Sequence, residues 1–264
     1  MGAFYLFLLS CFVILLFSLT GKVDMGFQVP GVSRPLKRNF KSILKQHFPY
    51  YNNLGLREQK IFERKLQYFI YIKEFIPRNM GTVTAEMKVL ISACAVQLTF
   101  GYPKIFLSHF KRILIYPDNY YSTINRVYHK GEVNPRFQAI VLSWKSFVQG
   151  YIESDSGVNL GLHEMAHALR LENIIFNDEF DFFEPHILEE WHGLAALEID
   201  RIKSGNSRMF RNYASTDQDE FFAIAIENFF ERSQDFKNQM PNLYYVLSKL
   251  LRQDPCKLTE EIIS

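Results

Sequence analysis

The chain has 264 residues, with 30 lysine and arginine residues against 28 aspartate and glutamate residues, so its formal net charge is +2. A protein that coats nucleic acid needs a strong basic excess, and this near balance excludes that class. Hydrophobic residues make up 48% of the chain and charged residues 22%, which excludes a disordered chain and a membrane protein with many spans. The length is sufficient for one or two domains with a sizeable core.

The N-terminus begins with an apolar segment. From Gly2 to Leu19 there are 18 consecutive residues without a charged side chain, which is close to the shortest length that spans a bilayer as a helix. A signal peptide cleaved after Thr20 is the alternative, but no lysine or arginine precedes the apolar residues. The sequence therefore predicts an uncleaved transmembrane helix over residues 1–21.

A basic segment follows the predicted anchor. Between residues 22 and 45 there are six basic residues against Asp24 alone. Because positively charged flanks stay on the cytoplasmic side of a membrane, we expect a single-pass membrane protein whose body faces the cytoplasm. Pro30, Gly31 and Pro35 in this segment are typical of a short tether. We assign the tether to residues 22–39 and a single domain to residues 40–264.

The domain shows mainly helical hydrophobic periodicity. Thr84 is a suitable N-cap for one helix and Gly101 a suitable end for it, whereas two short apolar runs are typical of strands. The sequence therefore predicts an α+β domain that is mainly α-helical and has a small sheet. The predicted helices cover residues 56–75, 84–100, 158–171, 182–203, 216–232 and 243–251, and the predicted strands cover residues 112–116 and 139–144.

The sequence His163-Glu164-Met165-Ala166-His167 lies inside one of the predicted helices. Residues four apart in a helix lie one turn apart on the same face, so both histidines can bind one ion. Imidazole nitrogens suit zinc, and Glu164 then lies beside the coordination position that remains open. An apolar stripe at spacings of three and four residues supports the helix independently. The motif predicts a zinc site with a glutamate placed to act on a bound water.

A catalytic zinc site needs a third protein ligand, and the spacing leaves four glutamates as candidates. Glu189 and Glu190 follow His167 by 22 and 23 residues, a gap that is common in thermolysin-like enzymes. Glu220 and Glu227 lie farther on, in a predicted helix that begins after a capping-box sequence. Their surroundings are otherwise apolar, so each carboxylate should be paired or bound to a metal.

Four segments of the chain occur together in one known family. They are Ile-Leu-Ile-Tyr-Pro at 113–117, Val-Leu-Ser-Trp at 141–144, Gly-Val-Asn-Leu-Gly-Leu-His-Glu-Met-Ala-His at 157–167, and Tyr-Ala-Ser-Thr-Asp-Gln-Asp-Glu-Phe-Phe-Ala at 213–223 continuing to Glu-Asn-Phe-Phe at 227–230. From about residue 40 onward, the chain resembles the Mlc titration factor A family of zinc-dependent peptidases. The catalytic half of that family is similar to the protease domain of anthrax lethal factor.

The resemblance implies a zincin-like, gluzincin-like metallopeptidase fold and assigns further roles. The family takes its third zinc ligand from the glutamate of the Glu-Phe-Phe-Ala stretch, which here is Glu220. A tyrosine seven residues earlier, Tyr213, is placed to bind the developing oxyanion. Family members commonly carry an aspartate where this chain has Arg170. If that aspartate orients a ligand histidine, we expect Glu172 or Asn159 to replace it.

We therefore expect a zinc-dependent metallopeptidase in which His163, His167 and Glu220 bind Zn²⁺. Glu164 is expected to take a proton from the attacking water, and peptides or proteins are the expected substrates. The strand at 139–144 is expected to supply a sheet edge that pairs with an extended substrate.

The alternative is a membrane-tethered protein-binding module that contains zinc but has no significant catalysis. Structural zinc sites are usually closed and rich in cysteine, whereas this motif leaves a coordination position open, so the sequence favours an enzyme. No nucleic-acid partner is expected, and the sequence identifies no particular protein partner.

Overall fold

The structure is a computed structural model that describes residues 35–122, 127–152, 156–207 and 209–257. Three helices precede the first strand: α1 (Arg38–His47), α2 (Pro49–Asn52) and α3 (Leu56–Ile72). Helix α3 begins where the periodicity predicts, but it ends three residues earlier because the chain turns into an unpredicted strand, β1 (Glu74–Pro77). Helix α4 (Ala85–Leu98) follows, and the Thr84 hydroxyl accepts a hydrogen bond from the backbone N–H of Met87, as expected of an N-cap.

The two predicted strands are present, and the structure adds further strands around them. A four-stranded sheet and a separate two-stranded antiparallel sheet lie in the described part of the chain. The remaining strands are β2 (Arg112–Tyr116), β3 (Tyr120–Ser122), β4 (Val127–His129), β5 (Gly131–Asn134) and β6 (Ala139–Ser143).

The order of strands in the larger sheet is β1-β2-β6-β5. β1, β2 and β6 are parallel, and β5 pairs with β6 in the antiparallel direction. The expectation that the strand at 139–144 supplies a free edge is therefore wrong: β6 lies between two strands, and all five of its residues are buried. Its continuous apolar sequence reflects burial on both faces, as is usual for an interior parallel strand. The edge strands of the sheet are β1 and β5, and β5 is the one that lies beside β6.

Helices form most of the second half of the domain, which confirms the predicted mainly helical α+β fold with a small sheet. Trp144 begins a helix instead of ending a strand. The helices are α5 (Trp144–Ile152), α6 (Leu160–Ile174), α7 (Pro185–Lys203), α8 (Gln218–Glu231), α9 (Ser233–Gln239) and α10 (Pro241–Leu251), with a 3₁₀ turn at Asn212–Ser215.

The core is organised around helices α4, α6 and α8. Eleven of the 14 residues of α4 are buried, so this helix is apolar on nearly every side. α6 packs against both α4 and α8. Aromatic side chains fill the space between α7 and α8, where Trp191, Phe221 and Phe222 are fully buried. The many aromatic residues of the sequence therefore serve largely as core packing.

No helix in the described ranges is both long enough and apolar enough to cross a membrane. The most apolar helix, α4, has 14 residues, whereas a membrane-spanning helix needs about 20. This finding contradicts the predicted location as a single-pass membrane protein with a cytoplasmic body, and we withdraw that prediction. The predicted anchor itself, residues 1–21, and most of the predicted tether lie outside the described residues.

Candidate metal centre

Two histidines and one glutamate bring potential ligand atoms together between helices α6 and α8. The Nε2 atoms of His163 and His167, one turn apart on α6, are separated by 3.1 Å. Oε2 of Glu220 lies 3.3 Å from His163 Nε2, and Oε1 lies 3.4 Å from His167 Nε2. The three ligand atoms all lie within 4.8 Å of one another, so one metal ion could contact all of them.

Caps at the helix starts hold these side chains in place. Asn159 Oδ1 accepts a hydrogen bond of 3.0 Å from the backbone N–H of Leu162, at the start of α6. Asp217 Oδ1 accepts the backbone N–H groups of Asp219 and Glu220, each at 2.9 Å, and so fixes the first turn of α8. The third candidate ligand is thus held by the local geometry of a capped helix.

Glu227 lies behind His163 and is fully buried. Its Oε1 is 2.8 Å from His163 Nδ1, and its Oε2 accepts a hydrogen bond of 2.6 Å from the backbone N–H of Asn159. Arg211 donates to both carboxylate oxygens, at 2.7 and 3.2 Å. A carboxylate at Nδ1 keeps a proton on that nitrogen, so Nε2, which faces Glu220 and His167, is the nitrogen that becomes a lone-pair donor when a metal ion displaces its proton.

Neither Glu172 nor Asn159, the two residues expected to replace the family aspartate, contacts a ligand histidine with its side chain. Glu172 accepts hydrogen bonds from the His109 backbone N–H and from Asn177, in a separate buried cluster, because its side chain leaves α6 away from the histidines. Asn159 caps α6 with its side chain and contacts Glu227 only through its backbone. The outer partner of His163 is Glu227.

Glu164 is the buried acidic group beside the two histidines. Its side chain lies under the edge strand β5, where Gly131 approaches so closely that a Cβ atom would overlap with the Glu164 carboxylate. A glycine inside a strand often marks such a close approach, but no pattern in the sequence connects this glycine to the motif.

The electrostatics of the centre favour a positive charge between the histidines. Burial lowers the pKa of His163, but hydrogen bonds with Glu220 and Glu227 outweigh it and raise this pKa to about 10. Burial likewise raises the pKa of the Glu220 carboxyl group, but hydrogen bonds from His163 and His167 hold the pKa well below its usual range. Burial raises the pKa of Glu164 to about 7, against the opposing charges of the two histidines.

Two cavities of about 380 Å³ each meet at the centre, and together we call them the cleft. Gly131, His163, Glu164 and Tyr213 line both cavities, so they lie where the two halves of the cleft join. Tyr213 is 54% exposed, and its 3₁₀ turn precedes α8 at the mouth of the site. The acidic neighbour Glu220 and partial burial raise the pKa of its hydroxyl, which keeps the proton available for donation.

The residues that line the cleft are not all ones that the sequence selected, and two sequence candidates lie outside it. Glu189 and Glu190 are exposed on α7 and do not line the cleft. β5 contributes Glu132 and Val133 to the cleft, and His129 lines it as well, although no pattern in the sequence selects these residues. β5 reaches the site because it packs against α6, a contact between separate segments that no local pattern records.

Comparisons with known proteins identify the family of the chain. The family model described as glucose-regulated metallo-peptidase M90 matches residues 31–252. The chain is 27% identical to the uncharacterized protein slr2042 of Synechocystis, with 84% of this chain and 86% of that protein covered. It is also 27% identical to the Mlc titration factor A of Serratia proteamaculans (78% and 84% covered) and 25% identical to that of Escherichia coli (78% and 83% covered).

The family match spans most of the chain, so the chain belongs to the M90 family of metallopeptidases. The resemblance to Mlc titration factor A that the sequence motifs indicated is confirmed by these relatives. The matched range also contains the two histidines, the glutamate between them and Glu220.

Proposed function

We propose that this member of the M90 family is a zinc-dependent peptidase whose zinc is held by His163, His167 and Glu220. The observation that carries the proposal is the convergence of three ligand atoms within 4.8 Å, with the buried carboxylate of Glu164 beside them in an open cleft. Two histidines and a carboxylate form a ligand set that catalytic zinc sites use, with one position left for water.

The donor atoms fit a zinc ion. The Nδ1 contact with Glu227 keeps a proton on that nitrogen, so Nε2 of His163, which faces Glu220 Oε2, is the nitrogen that would bind the metal in place of a proton. That oxygen is buried and lies 3.3 Å from His163 Nε2, and no other described group satisfies it. Electron pairs directed at one point repel one another unless a cation lies between them, and nitrogen and oxygen donors of this kind suit zinc. Zinc bound there would lower the pKa of a bound water and polarise a peptide carbonyl group.

Glu164 supplies the proton transfer. Its carboxylate takes a proton from the attacking water and delivers it to the nitrogen of the leaving amine. A general base works best when its pKa lies near the working pH, and burial places the pKa of Glu164 at about 7.

Tyr213 stabilises the charge that develops on the carbonyl oxygen. Its hydroxyl group lies at the junction of both halves of the cleft and carries its proton at neutral pH. A hydrogen bond from this group to the oxyanion is stronger in the transition state than in the ground state, and only such interactions accelerate the chemical step.

The edge strand β5 aligns the substrate. β5 pairs with β6 on one side, and no described strand pairs with its other side. Lys130 lines one cavity of the cleft, Glu132 and Val133 line the other, and Gly131 lies between them. An extended peptide that pairs with this edge crosses the site directly above Glu164. The substrate class that fits is therefore an extended peptide or an unfolded segment of a protein.

The test combines metal analysis with turnover. The purified protein is loaded with zinc, its metal content is measured, and hydrolysis of internally quenched peptides is followed with and without a chelator. We expect a 1:1 zinc complex and hydrolysis that the chelator abolishes. Glu164→Gln should keep its zinc and lose about 10²- to 10⁴-fold in kcat.

The matched control is Glu190→Gln, which changes an exposed glutamate outside the cleft and should behave as wild type. Wild-type turnover in Glu164→Gln would refute the role of Glu164. A stable zinc complex that hydrolyses no peptide would instead support a protein-binding module, which is the alternative function.

A further inference from the structure

Arg170 lies one turn beyond His167 on α6 and lines the wall of the cleft. Its side chain is 22% exposed, and its guanidinium group contacts two other helices. Nε and Nη2 donate to Oδ1 of Asp219 on α8, at 3.1 and 2.7 Å. Nη1 lies 3.0 Å from Nε2 of His192 on α7.

The guanidinium group is held by three kinds of contact. The two hydrogen bonds that Arg170 donates to one oxygen of Asp219 join charged groups, so they are stronger than hydrogen bonds between neutral groups. Burial and the positive charge of Arg170 both lower the pKa of His192, so that its ring stays neutral and Nε2 can accept. The guanidinium carbon lies 5.7 Å from the centre of the buried Phe222 ring, which supports it from the core side.

Asp219 is the residue directly before the candidate ligand Glu220. Its backbone N–H, like that of Glu220, donates to the Asp217 cap, so Asp219 and Glu220 belong to the same fixed turn. The Arg170–Asp219 pair therefore connects the helix that carries both histidines with the turn that carries the third ligand. It does so one turn from the metal site and without touching a ligand atom.

We propose that Arg170 is a positioning residue for the metal centre, which fixes the distance between Glu220 and the two histidines through its contacts with Asp219 and His192. The proposal deepens the proposed function: it rests on zinc and its three ligands, and it does not depend on peptide hydrolysis. Outer contacts of this kind hold ligands in the geometry that the metal requires, and their loss typically lowers metal affinity about 10- to 100-fold.

The experiment measures the zinc dissociation constant by competition with a chromophoric chelator, without any peptide hydrolysis. Arg170→Gln and Asp219→Asn should each raise the constant about tenfold or more. The two substitutions remove the same contact, so the double variant should bind zinc no more weakly than the weaker single variant. Arg201→Gln is the control, because Arg201 forms a similar pair with Glu198 on α7, is 64% exposed and does not line the cleft.

Cobalt replaces zinc in a second measurement, because its visible absorption reports the geometry of the ligands. We expect an altered spectrum in Arg170→Gln and in Asp219→Asn and an unchanged one in Arg201→Gln. Thermal unfolding of the metal-free proteins identifies any variant that has lost its fold. Asp219 is 61% exposed, so Asp219→Asn keeps the test possible if Arg170→Gln does not fold.

Three results would overturn the proposal. The first is a zinc constant within twofold of wild type in both single variants. The second is a multiplicative loss in the double variant, which would mean that the two residues act separately. The third is an increase in KM for peptides with unchanged zinc affinity, which would assign Arg170 to substrate binding. If the wild-type protein binds zinc but hydrolyses nothing, the proposed function fails while this proposal can still be tested.

Discussion

Oε1 of Glu227 lies 2.8 Å from Nδ1 of His163, and the two residues are 64 positions apart in the chain. The same carboxylate is fully buried and also receives two hydrogen bonds from Arg211. This contact sets the tautomer and the ring orientation of His163. The candidate metal centre therefore depends on an ion pair behind it, between Arg211 and the buried Glu227.

Glu227→Gln tests this dependence. The amide keeps the shape of the side chain but removes the charge that holds His163 and Arg211. We expect zinc affinity to fall about 10- to 100-fold, as for other partners of metal-bound histidines. Competition with a chelator measures the loss. Glu189→Gln, an exposed change on α7, is the control, and equal affinities in the two variants would contradict the assignment.

Tyr213→Phe removes one hydroxyl group at the junction of the cleft. Loss of a single oxyanion donor typically lowers kcat about 10²- to 10³-fold, and KM should change little because the interaction forms in the transition state. Steady-state kinetics on one peptide substrate separates the two constants. Tyr245→Phe, on the exposed side of α10, should leave both unchanged. A rise in KM alone would assign Tyr213 to ground-state binding.

Gly131→Ala tests the close approach of the edge strand to Glu164. The added Cβ atom would overlap with the carboxylate, so either the strand or the Glu164 side chain must move. A misplacement of about 1 Å can cost about 10²-fold in rate, and we expect a loss of that order in kcat/KM. Zinc binding should persist, because the atoms nearest the added Cβ belong to Glu164 and not to a candidate ligand.

The comparison for that variant is Gly193→Ala on α7. No atom lies within 4 Å of a Cβ atom at this exposed helical position. Alanine should therefore raise the free energy of unfolding by about 0.5–1 kcal/mol and leave kcat/KM unchanged. Wild-type activity in Gly131→Ala would show that the site accommodates a side chain above Glu164.

Lys65 makes the stability of the domain depend on pH. Its ammonium group is buried and donates to the backbone carbonyl groups of Thr99 and Tyr102, and burial lowers its pKa from 10.5 to about 7. Between the folded and the unfolded pKa of Lys65, the unfolded chain binds one more proton than the folded chain. The contribution of Lys65 to the free energy of unfolding therefore rises with pH, by at most about 1.4 kcal/mol per pH unit.

We expect the free energy of unfolding of the wild type to rise relative to that of Lys65→Met as the pH increases from about 7 to about 9. This range lies above the folded pKa of Lys65 and below its unfolded value. Denaturant unfolding at several pH values measures the difference, and the comparison cancels other titrating groups. Lys60→Met, an exposed change in the same helix, should show no such trend. A constant difference between wild type and Lys65→Met would contradict the prediction.

Local patterns predicted the parts of the site that lie close together in the chain. His163, Glu164 and His167 are recognisable because helix geometry alone places residues four apart on one face. The helix predicted from residue 216 is present but begins at Gln218, because Asp217 provides its N-cap. The choice of Glu220 among four glutamates needed the family resemblance, since spacing could not distinguish them. The membrane prediction came from the apolar N-terminus, which says nothing about the domain that follows it.

The sequence by itself determined six of the ten described helices, the two-histidine motif and the family, because short-range spacing and helix caps encode them. Only the tertiary structure decided which strand forms the sheet edge, which carboxylate holds His163 and where Arg170 points. Each of these depends on contacts between segments that are far apart in the chain. The short apolar run of β6 does not reveal whether other strands pair with it on one side or on both, so the sequence alone left a free edge possible. Pairing with β5 on one side and β2 on the other made it interior.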